Sequence, residues 1–192
     1  MEKEPLGTKR LVKIACCLLA AVLAQTTLSQ QLKPWLASID WLLLVTVYVS
    51  LLRDPTSALL TATAAGVLYD ASSGGPAIGV SGLAKVLAAF VVYQLSSMIV
   101  IEHFLIRLLM VALASLVDLF TLLAFYRMLK FDLPSQLSGT RNILAAILLG
   151  LAVNLIVSLL LFPILDRFFL SGRFGFSRRI RRSEAARVRR RW

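Results

Sequence analysis

Long apolar runs broken by short charged or turn-forming segments repeat from one end of the chain to the other. As helices, runs of this length match a hydrocarbon core about 30 Å thick, which takes about 20 residues to cross. Six spans are predicted, at residues 11–29, 35–52, 56–70, 80–101, 104–129 and 142–168. Lys33-Pro34 closes the first, and Arg53-Asp54-Pro55 breaks the chain after the second. The third is short and rich in Ala, Thr and Gly. Glu102-His103 makes a tight connection between the fourth and fifth, and a polar loop from Lys130 to Arg141 precedes the sixth.

Composition supports a membrane domain. Charged residues make up 16% of the chain, against roughly 25% in a soluble domain. The mean hydropathy is +0.81. The fold class expected is therefore an all-α integral membrane protein, with a transmembrane domain over residues 1–168 and a tail over 169–192. Lys9, Arg10 and Lys13 before the first apolar run resemble the start of a secretory signal. The run spans by itself and further spans follow, so retention is expected.

Charge sets the orientation. Residues 173–192 carry nine arginines and one glutamate, a net +8 of the chain's +11. Basic residues near membrane ends stay in the cytoplasm. With an even number of spans, both termini face inward, together with Lys3, Lys9, Arg10, Arg53, Arg107 and Arg167. Arg178, Arg179, Arg181, Arg182, Arg189, Arg190 and Arg191 are candidates for anionic lipid headgroups, at about 1 kcal/mol per basic residue near the surface. Tethering to a membrane accounts for this charge, so no nucleic-acid partner is expected.

The third span has a packing face. Ala58, Ala62, Gly66 and Asp70 recur every four residues and form one stripe on a helix, with Ser57, Thr61, Ala65 and Tyr69 beside it. Small residues let membrane helices approach closely. Ser73 and Gly74 continue into the turn before the fourth span, where Lys85 lies about a turn and a half from the start. An ionised group at the centre of a span costs about 2.5–3.5 kcal/mol. Pairing of Asp70 with Lys85 would relieve both residues. Alternatively, Asp70 caps the next helix and Lys85 snorkels outward. Asp118, mid-way along the fifth span with Ala114, Ser115 and Thr121 on its face, is too deep to snorkel. It requires the bundle interior, a partner or a wet cavity. A relay would need a chain of such groups, and the other mid-span candidates are Gln25, Gln94 and Asn154.

Catalytic and metal chemistry find no footing. There is no G-x-S-x-G, H-E-x-x-H or phosphate-binding glycine loop. Cys16 and Cys17 are adjacent and point in different directions on a helix, and His103 has no partner motif. The chain reads as a non-enzyme without cofactor or metal.

Gly66-x-x-x-Asp70-x-x-Ser73-Gly74 and the fourth span after it resemble the bacterial rod shape-determining protein MreD family. Gln25, Trp41 and Leu116-Val117-Asp118 support the resemblance, which covers about residues 11–168; Gly79 follows one residue later than is usual there. The resemblance implies a scaffold in the bacterial inner (plasma) membrane that organises lateral peptidoglycan synthesis in the elongasome. The implied partners are the single-span protein MreC and, through it, MreB, RodA and PBP2. It also implies a fold like that of the substrate-binding S-components of energy-coupling-factor vitamin transporters, which makes a transporter subunit the alternative function.

Overall fold

The structure is a computed structural model and describes residues 8–31, 39–73, 79–98, 104–130 and 143–170. Gly74, the side chain of Ser73 and the arginines of the tail lie outside the described residues. The described residues form six helices: α1 (Thr8–Gln31), α2 (Trp41–Leu51), α3 (Pro55–Ser73), α4 (Val80–Met98), α5 (Phe104–Met128) and α6 (Ile143–Leu170). The chain divides into two compact units, Met1–Leu159 and Leu160–Trp192. Of the second, the described part is the end of α6, which contains Pro163.

Among the described residues, four helices are long and apolar enough to cross a membrane, over Arg10–Thr27, Val80–Met98, Phe104–Met128 and Ile147–Phe169. The six expected spans thus correspond to six helices that differ in kind. α3 has the length, but its Thr, Ser and Ala content lowers its hydropathy. α2 departs further, with only 11 residues against the 18 expected for 35–52. At 1.5 Å per residue it is about 16 Å long, too short to cross.

α2 is short because Asp40 caps it. The Asp40 carboxylate accepts the amide of Leu43 at 2.8 Å, so the helix begins at Trp41. Every residue from Leu42 to Ser50 is buried, as expected of a helix that is apolar all round. It packs against α1, α3, α4 and α5. Thr46 and Ser50 donate their hydroxyls to carbonyls one turn back, which satisfies them without solvent.

The link from α2 to α3 is tight. Arg53 adopts a left-handed conformation (φ 61°), and the carbonyl of Asp54 accepts the amide of Ala58 at 3.0 Å. Pro55 opens α3, where its missing N–H is no loss. Asp54 also accepts Ser57 Oγ at 2.7 Å and Arg10 of α1 at 3.0 Å, which ties three helices at this end.

α3 and α4 share the most extensive contact in the fold. Ala58, Ala62 and Ala65 are fully buried, while Leu60 and Val67 on the opposite side are exposed. A Cβ on Gly66 would collide with the Cα of Gly82 and lie 2.7 Å from its nitrogen. The small-residue stripe thus lets α4 touch the backbone of α3.

Candidate functional site

Among the described residues of the first unit, Lys85 is the largest side chain to be buried completely. α4 brings it in on the face it shares with Ala84, Ala88, Ala89 and Val92, all solvent-inaccessible. Its ammonium lies 2.5 Å from Asp40 Oδ2 and 3.7 Å from Asp118 Oδ1. It also sits over the ring of Tyr69, 4.4 Å from the centroid. Four helices therefore converge on one cation: Asp40 from the start of α2, Tyr69 from α3, Lys85 from α4 and Asp118 from α5.

The start of α2 is held from two more sides. The amide of Asp40 donates to Asn154 Oδ1 of α6 at 3.1 Å, and that of Trp41 donates to Gln25 Oε1 of α1 at 3.2 Å. These bonds satisfy backbone donors that a buried helix start would otherwise leave orphaned. Two carboxylates share one ammonium, and the positive end of the α2 dipole, roughly half a charge, lies against Asp40. Opposite charges in such a poorly hydrated setting interact far more strongly than on a surface.

The expected pairing of Asp70 with Lys85 does not form. Asp70 instead accepts the amide of Gly79 at 2.6 Å across the turn from α3 to α4. Gly79 has φ +105°, and its carbonyl accepts the amide of Leu83 as α4 begins. Nothing lies within 4 Å of where its Cβ would be, so conformation and not space calls for glycine there. Lys85 does not snorkel either, because two carboxylates inside the bundle hold it. Asp118 faces the interior, and its Oδ1 makes no hydrogen bond, nor does Ser115 Oγ one turn earlier.

Asp40 is the residue that sequence reasoning missed. It lay within the run assigned to the second span, and the available signal was a carboxylate at such a position. Tyr69 was placed beside the packing stripe without a polar role. Gln25 and Asn154 were noted as mid-span polar groups, but not as partners of another helix's backbone.

The Asp70–Gly79 bond supports a direct prediction. Asp70→Ala removes a charge-assisted hydrogen bond and should lower stability by about 1.5–3 kcal/mol, measured by thermal unfolding of the purified protein in detergent. Asp70→Asn keeps an acceptor and should recover most of the loss. Equal losses in both variants would show that the bond to Gly79 contributes little.

Described residues that are helical throughout their regular structure, with four membrane-length helices among them and an ion network inside the bundle, fit a multi-pass membrane protein. Residues 8–171 match the sequence model of the family described as rod shape-determining protein MreD. That match takes in most of the chain, which therefore belongs to the MreD family, a membrane family of rod-shape determination. Neither a curated protein nor a solved structure matches the chain significantly.

Proposed function

We propose that this chain is a non-enzymatic scaffold of the cell-elongation machinery, organising lateral peptidoglycan synthesis through an MreC-like single-span protein in the inner membrane. The observation that carries the proposal is the family match over 8–171, which takes in all six helices. In this reading all six helices lie within the bilayer in an S-component-like arrangement with both ends cytoplasmic, and α2 is a central post that does not cross by itself. MreB, RodA and PBP2 are reached indirectly through the single-span partner, and the arginine tail rests on anionic lipid.

The ion network suits a scaffold. It joins α2, α4 and α5 through side chains inside the bundle. Co-purification from detergent-solubilised membranes is the test. A stoichiometric single-span partner, with loss of rod shape on depletion in cells, is the expected result. A vitamin retained through purification, or an associated ATPase module, would overturn the proposal in favour of a transporter subunit.

A further inference from the structure

Lys85 is one cation between two carboxylates that belong to different helices. Its ammonium has three N–H donors, and one of them makes a hydrogen bond among the described residues, to Asp40 Oδ2 of α2. Asp118 Oδ1 of α5 stands 3.7 Å away, an ion-pair distance but too long for a hydrogen bond. That oxygen is closed to solvent and accepts no hydrogen bond among the described residues. A buried charged acceptor left in this state is costly, and the donor best placed to meet it is the same ammonium. A shift of about 1 Å brings the two to the length of a charge-assisted hydrogen bond.

The surroundings of each carboxylate balance the two positions. Asp40 keeps its compensation when the ammonium turns away, because its Oδ1 holds the amide of Leu43 and the positive end of α2 lies against it. Asp118 lies within the length of α5 and has Lys85 as its ion-pair partner. The face of Tyr69, 4.4 Å from the ammonium, attracts the cation without fixing the direction of its N–H groups, so it serves both positions.

We infer that Lys85 is a two-position cation, whose ammonium passes over the Tyr69 ring between Asp40 of α2 and Asp118 of α5. The exchange changes which helix α4 is fastened to, while the charge stays inside the bundle. A movement of α5 against α4 therefore shifts the balance between the two positions. The inference concerns the ion network alone and holds whether the chain serves as a scaffold or as a transporter subunit.

Asparagine at either carboxylate removes one anion and keeps the shape, and it still caps a helix at position 40. The full chain in detergent, isotope-labelled at lysine Nζ, gives a direct reading by nuclear magnetic resonance, with Lys85→Arg identifying the Lys85 signal. That signal should lie at one extreme in Asp118→Asn, at the other in Asp40→Asn, and between them in the parent. A parent signal that coincides with either variant would overturn the inference. So would one outside their interval, as for an ammonium bonded to both carboxylates at once. Thermal unfolding midpoints are the independent check. Each single variant should lose little, because the ammonium moves to the remaining carboxylate, and the double variant should lose more than the sum of the two. A double variant that only matches that sum, or an Asp40→Asn loss as large as that of the double, would equally overturn it.

Discussion

Replacing Lys85 with methionine is expected to destabilise the protein by about 3–5 kcal/mol, the usual consequence of removing one member of a buried ion group. Methionine fills much of the same volume, so the loss reports charge more than packing. Without the ammonium, Asp40 and Asp118 are left as two carboxylates in a largely buried site, and Asp40 must still cap α2. Thermal unfolding in detergent, followed by tryptophan fluorescence, is a suitable readout because Trp41 begins the helix that Asp40 caps. Adding Asp118→Asn should recover part of the loss, since it removes the charge left over. Non-additivity of this kind marks residues that share one network. Asp70→Asn should not recover it, because Asp70 serves Gly79 and not Lys85. A Lys85→Met variant that unfolds like the parent, or one rescued equally by Asp70→Asn, would refute the network as drawn.

The second large effect is an asymmetry between two glycines at one helix crossing. Gly66→Ala should lower stability by about 1–3 kcal/mol, the range for overpacking a filled core. The new methyl meets backbone of Gly82, which cannot rotate aside as a side chain would. Gly66→Val should cost more and reduce the yield of folded protein. Gly82→Ala, by contrast, has nothing within 4 Å of its Cβ and should be neutral or slightly stabilising, since alanine exceeds glycine by about 1 kcal/mol as a helix former. Paired unfolding midpoints for the two alanine variants decide the matter. Equal losses at both positions would mean that the close approach is not at Gly66.

Each of these expectations rests partly on sequence and partly on fold. The small-residue stripe Ala58–Ala62–Gly66 was legible because helical periodicity places residues four apart on one side. That Gly66 alone meets a backbone depends on the crossing point of α3 and α4, which no local pattern encodes. For Asp70 the two sequence readings, a partner for Lys85 or a cap for the next helix, were both chemically sound. The turn brings the amide of Gly79 to within 2.6 Å of its carboxylate, and geometry selects the cap.

Apolar runs and their breakers, by themselves, located the six helices of the described residues and pointed to the membrane character and the unusual standing of Lys85 and Asp118. Burial of a charge carries a large penalty wherever the partner comes from, so the need for a partner is a local property of the chain. Which partner answers that need is not. Asp40 and Lys85 are 45 residues apart in sequence, and the link forms only when α2 starts inside the bundle against α4. Hydrophobicity assigns α2 to a span, but a cap and the two neighbouring amides of Gln25 and Asn154 decide where it starts. Those contacts depend on distance in space, and only the tertiary structure sets that distance.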